Sequence, residues 1–183
     1  MRIDDRGQNN IVAGVHENIA GKATFHGNNN RIDIGTAVRG AHVEIDMGSD
    51  SIVEIGAAAY LSDAKIFLAD RCKFLMDSSV SVSKGCNFLL HEPSRCHIGY
   101  ASLFAAHVVV TTSDMHPIFD RETGERLNPA ENVAIGRDVW IGDGAYITKG
   151  VTIGHGSVVG ARSVVTSSTP EHVIVAGNPA RDP

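Results

Sequence analysis

His116 follows Asp114 by two positions and stands directly before Pro117, in a stretch where the pattern of the surrounding chain lapses. Proline fixes the backbone beside the imidazole, and the nearby carboxylate is expected to orient the ring and select its tautomer. An imidazole titrates near neutral pH, so the chemistry this arrangement suggests is general-base catalysis. The chain holds nine histidines in all. His16, His26, His42, His155 and His172 read as turn or solvent-facing residues. His91, His97 and His107 fall in patterned stretches, where an outward side chain would line a groove. Cys72, Cys86 and Cys96 lack CxxC spacing and read as buried, reduced thiols.

The elements that must position His116 are set by a six-residue period. From Ile135 the units run Ile135 to Trp140, Ile141 to Tyr146, Ile147 to Thr152, Ile153 to Val158 and Val159 to Val164, with Val165 opening the next. The first place is Ile or Val throughout, and the fifth is small. A hexapeptide period belongs to neither a helix nor an ordinary strand; it marks a stacked β-solenoid. Each unit supplies one short strand and one corner, so three units, about eighteen residues, complete a coil. The aliphatic place points inward and stacks on its equivalents, and stability comes from neighbouring coils. A looser form, as in Arg31-Ile32-Asp33-Ile34-Gly35 and Ile52-Val53-Glu54-Ile55-Gly56, extends the solenoid over roughly residues 9–166, after a ragged cap. Residues 113–132 break the period and read as an arm extruded at a corner, without secondary structure of its own. Residues 167–183 read as a closing strand and tight turn, ending abruptly at Pro183, with room for a further tail or terminal helix.

The 183 residues make one all-β domain, with 43% hydrophobic but only 5% aromatic residues, as suits stacked Ile, Val and Ala. A net charge of −5 without a basic stretch argues against nucleic acid or an anionic membrane as the main partner. The polar start and the lack of a long apolar run predict no signal peptide and no membrane insertion. A cytoplasmic protein is expected.

The Ile-Gly hexapeptides, the Ser113-Asp114-Met115-His116-Pro117 arm, the Asp138-Val139-Trp140-Ile141-Gly142 segment and the closing Gly177-Asn178-Pro179-Ala180 resemble the hexapeptide-repeat acyltransferases. These include galactoside, maltose and xenobiotic acetyltransferases and the bacterial polysaccharide O-acetyltransferases. The resemblance implies a left-handed parallel β-helix working as a homotrimer, with active sites in clefts between subunits. It implies an acetyl-CoA-dependent transfer to a hydroxyl, with His116 as general base and the backbone N–H of Asp143 as oxyanion donor. Trp140, 24 residues after His116, would border acceptor and thioester. Gly142, Gly160, Ala161 and Thr166 would lie along CoA, small enough for pantetheine to approach the backbone, with Pro179 and Arg181 at the nucleotide end. Ser167 stands where several members carry Lys. Lys149 and Arg162 are alternative cations, read as solvated surface charge. Asn87, Glu92 and His107 are the expected acceptor contacts. The Asn-rich opening is similar in style to enzymes of capsule or lipopolysaccharide modification, so a sugar or cell-surface glycan is the expected acceptor.

The same β-helix also carries γ-type carbonic anhydrases, which need two His five residues apart on one coil. Here His91 and His97 are six apart and His107 and His116 nine apart, so no metal is expected. An assembly module without catalysis would need neither His116 nor the closing motif. An amino acceptor stays open beside the hydroxyl.

Overall fold

The computed structural model describes residues 1–14 and 17–182, so the turn expected at His16 and the end at Pro183 lie outside the described residues. The described chain is all β, built from short parallel strands wound into a three-sided coil. One face stacks Ile11–Gly14, Arg31–Ile34, Ile52–Ile55, Lys73–Met76, Arg95–Ile98, Val133–Ile135 and Thr152–Ile153 in register. The second and third faces form one wrapped sheet in the first half. There a single long strand such as Tyr60–Leu68 or Ser81–Leu90 turns the corner between them. Later coils split that strand in two, as in Trp140–Ile141 and Tyr146–Ile147.

The core consists of columns of inward side chains. Ile45, Ile66, Phe88, Val110, Ile147 and Val165 stack on the third face, and Leu61, Val82, Phe104, Ile141, Val159 and Val175 on the second. All of them are buried, each removing apolar surface worth about 1.5–3 kcal/mol for a side chain of this size. Phe88 lies between Phe74 and Phe104, with ring centroids 5.0 and 5.6 Å away.

Coil length departs from the expectation. Ile135 pairs with Ile153, 18 residues on, but Val53 pairs with Phe74, 21 residues on, and Phe74 with Cys96, 22 on. The reason is the third face: early coils bury three residues there (Ala64, Ile66, Leu68), whereas the late coil buries two (Ala145, Ile147). Stacking also runs beyond 9–166. Arg2–Asp5 already pairs with Lys22–Phe25, and Val159 pairs with Val175 before Ala176–Arg181 folds back antiparallel. The Asn-rich opening has a structural use: Asn10 Oδ1 accepts from Asn30 N–H, Asn30 Oδ1 from Ser51 N–H and Ser51 Oγ from Cys72 N–H. This ladder satisfies corner N–H groups between coils. Cys72, Cys86 and Cys96 are free and buried, and burial pushes the Cys96 thiol up to about 12. Among the described residues no helix is long and apolar enough to cross a membrane.

The arm leaves after Thr111 at the edge between the third and first faces. It is a narrow hairpin rather than the unstructured loop expected. Phe119 bridges Arg126 antiparallel, Leu127 N–H donates to Ile118 C=O at 2.8 Å, and the Asp120 carboxylate accepts the N–H groups of Glu122 and Thr123. That local pairing explains how a segment without aliphatic period holds a shape.

Candidate active site

His116 is exposed at the root of the arm, and among the described residues nothing hydrogen-bonds to its imidazole. Asp114 does not orient the ring as expected. Its carboxylate pairs with Lys149 Nζ at 2.7 Å and accepts from Asn128 Nδ2 at 2.9 Å. Those two partners lower its pKa, Lys149 most. Lys149 is accordingly not a solvated surface charge: its side chain is 15% exposed, and Nζ also donates to Pro129 C=O at 3.0 Å.

Below the arm, Glu92 meets Arg126 in a two-point fork, with Nη1 to Oε2 at 2.6 Å and Nη2 to Oε1 at 2.7 Å. Ser113 Oγ donates to Glu92 Oε1 as well. The Arg126 guanidinium, then the Ser113 hydroxyl, hold Glu92 at about 2, well below its ordinary value. Both Glu92 carboxylate oxygens are thus engaged in bracing the arm. Asn87 points outward on the third face, with its amide donating to Gly85 C=O at 3.1 Å.

A second group of residues meets at the edge between the second and third faces. His107 Nδ1 lies 3.2 Å from Asp143 Oδ1, and Arg162 Nη2 lies 3.3 Å from Asp143 Oδ2. His107 lies against Gly85, where an added Cβ would come within 2.9 Å of its Cδ2. The Asp143 and Ala161 N–H groups, stacked one coil apart, donate to no acceptor among the described residues. Trp140 is half exposed on the outer side of the second face, between Leu103 and Val158 in the parallel ladder. One chain thus holds His116 on one edge of the prism and Asp143 on another, with Ala145 to Ile147 between them.

Residues 132–167 match the family described as bacterial transferase hexapeptide, six repeats. The chain is 30% identical over 122 residues to the polysialic acid O-acetyltransferase of Neisseria meningitidis, a match covering 67% of this chain and 46% of that protein. It superposes on the crystal structure of the polySia specific acetyltransferase NeuO with a TM-score of 0.90 at 29% identity, over 99% of this chain and 84% of that one. The polysialic acid O-acetyltransferase OatWY gives a TM-score of 0.95 at 26% identity, over 100% and 88% of the two chains. In its repeat and in its whole fold the chain is similar to the hexapeptide-repeat acyltransferases. It spans about half the length of the Neisseria relative. The fold it shares with NeuO is the left-handed parallel β-helix.

The residues that the resemblance sets along CoA divide into two groups in this structure. Gly142 is buried, and its N–H donates to Val159 C=O at 2.8 Å; a Cβ there would come within 2.6 Å of the Ala161 N. Gly160 N–H donates to Val175 C=O, and a Cβ on Gly160 would come within 2.9 Å of the Ala176 Cβ. Stacking of the next coil by itself accounts for the small residue at both positions. Ala161, Thr166, Pro179 and Arg181 are exposed on the last coils and suit an extended co-substrate. Arg181 lines a cleft of about 360 Å³ with Ser167, Thr169 and Pro170. Among the described residues, no group of three or more His, Cys, Asp or Glu is arranged to hold a metal ion.

Sequence reasoning missed Arg126, Asn128 and Ser113. The arm's richness in charge was the signal, but partners 34 residues apart in sequence meet only once the coil is closed.

Proposed function

We propose that this chain transfers an acetyl group from acetyl-CoA to a hydroxyl of a sialylated glycan, with polysialic acid as the first acceptor to try. The support is the activity for which its relatives are named together with one observation in the chain: an exposed His116 imidazole, without a partner among the described residues, at the root of a braced arm. The acceptor oxygen attacks the thioester carbonyl and forms the new C–O bond as His116 takes its proton. The Asp143 N–H donates to the tetrahedral oxyanion, whose collapse breaks the C–S bond. The CoA thiolate then takes the proton back from the imidazolium. A base of this kind contributes on the order of 10²–10⁴-fold, and an oxyanion donor a similar amount.

His116 and Asp143 sit on different edges of one prism, so the site needs two copies of the chain, with the arm of one over the corner of the next. A homotrimer satisfies that geometry. Leu103, Trp140 and Ile174, 46%, 52% and 57% exposed, lie along one outer face and offer an apolar stripe for a neighbouring copy. With a net charge of −5, attraction for an anionic glycan must be local, and Arg162 is an exposed cation beside Asp143. We place the reaction in the cytoplasm, where acetyl-CoA is available, and treat the whole solenoid with its arm as one functional unit. The decisive test follows CoA thiol release from acetyl-CoA with polysialic acid as acceptor, for the wild-type chain and His116→Ala. Loss of release in the variant, with acetyl-CoA binding retained, supports the reading; release independent of glycan overturns it.

A further inference from the structure

We infer that Asn128, braced by the Glu92–Arg126 fork, is a positioning residue that fixes His116 for proton transfer. The inference rests on His116 as the base. Because the His116 imidazole has no partner among the described residues, its location depends on its own main chain. That main chain is held by one side-chain amide. Asn128 Nδ2 donates to His116 C=O at 2.9 Å, and Asn128 Oδ1 accepts from Ile118 N–H at 2.5 Å. The two bonds straddle Pro117, which has no N–H and a fixed φ. The other Nδ2 hydrogen goes to Asp114, so both donors of the amide are used. Asn128 is only 7% exposed.

The amide is itself anchored from two coils. From below, Glu92 grips Arg126, whose Nη2 also donates to Asn128 C=O at 3.3 Å. From above, Lys149 grips Asp114, the other partner of the amide. Met115, directly before His116, sits at φ 66° and is held there by Ser113 Oγ accepting its N–H at 3.0 Å. A side chain of that size in the left-handed region persists only where the surroundings over-determine it. Arg126 Nε is buried without a partner among the described residues, so the fork also leaves one donor unsatisfied there, a feature that stability alone disfavours. The arrangement fits a brace that fixes geometry. Displacing a catalytic group by about 1 Å costs on the order of 100-fold in rate.

The test uses the full-length chain, acetyl-CoA and polysialic acid. Asn128→Asp is isosteric but removes both donors and sets a carboxylate beside Asp114. It is expected to lower kcat by about 10–100-fold while changing KM for acetyl-CoA by less than about twofold. In a His116→Ala background the same change should alter the residual rate by less than about twofold, since two residues acting through one group are not additive. Arg126→Lys keeps the charge and loses the fork, so it serves if Asn128→Asp does not fold; about a tenfold loss of kcat is expected. Full kcat in folded Asn128→Asp or Arg126→Lys, or an equal loss in the His116→Ala background, overturns the inference alone. Full turnover in His116→Ala overturns the base reading, and this inference with it.

Discussion

His107 Nδ1 faces Asp143 Oδ1 at 3.2 Å, joining residues 36 positions apart across the coil that carries the arm. The Asp143 carboxylate thus holds one ring nitrogen of His107, and the Asp143 N–H meets no acceptor among the described residues. His107→Ala is expected to raise KM for the glycan several-fold and leave KM for acetyl-CoA unchanged. Asp143→Asn keeps the backbone donor, so its kcat should fall less than about tenfold, below the 10²–10³ expected when an oxyanion donor is lost. Steady-state kinetics with each substrate varied separately checks both.

His116→Ala should reduce kcat by about 10²–10⁴-fold, with acetyl-CoA affinity by calorimetry within a factor of about two. A larger change in affinity would move His116 from proton transfer to donor binding.

If arm and corner come from different copies, two dead variants should rescue each other. Mixing His116→Ala subunits with Trp140→Ala subunits after dissociation and reassembly is expected to restore part of the turnover. Mixtures that stay as inactive as their components would put both residues in a site made by one copy.

Acid should release the arm in a defined window. Glu92 has its pKa lowered to about 2 from an ordinary 4.5, so ionised Glu92 stabilises the folded arm above about pH 4.5, and that contribution drains away as pH falls toward 2. Glu92→Gln should therefore have a lower melting temperature than the wild type at pH 7, with the gap closing below about pH 4. A gap that is constant down to pH 3 would mean the carboxylate charge does not hold the arm.

Phe88→Ala removes the ring between Phe74 and Phe104 in the middle of the stack. A cost of about 3–5 kcal/mol is expected from such a truncation, read as a lower midpoint in urea.

How much of this could be read in advance differs along the chain. The strict six-residue units after Ile135 reveal the coil directly, because each inward place recurs at a fixed interval. Before the arm the interval stretches: Leu68 and Leu90 add a third inward place to one face, and a period search tuned to six loses them. The place of His116 at the root of an arm was legible from Pro117 and the lapse of pattern around it. The partner assigned to it was not. Asp114 is two residues away in sequence, yet Lys149 and Asn128 capture its carboxylate, because proximity along the chain says nothing about competition from neighbouring coils. Gly142 and Gly160 carry a constraint that the next coil imposes, which sequence alone does not separate from a ligand's.

The change from 21 residues to 18 per coil has a consequence for anyone who would lengthen or shuffle this protein. Coils from the two halves are not interchangeable parts. A segment moved from before the arm to after it arrives with surplus chain and one apolar side chain too many, and a segment moved the other way leaves a gap opposite Leu68. Grafts should respect that boundary, taking donor and recipient from the same side of residue 112.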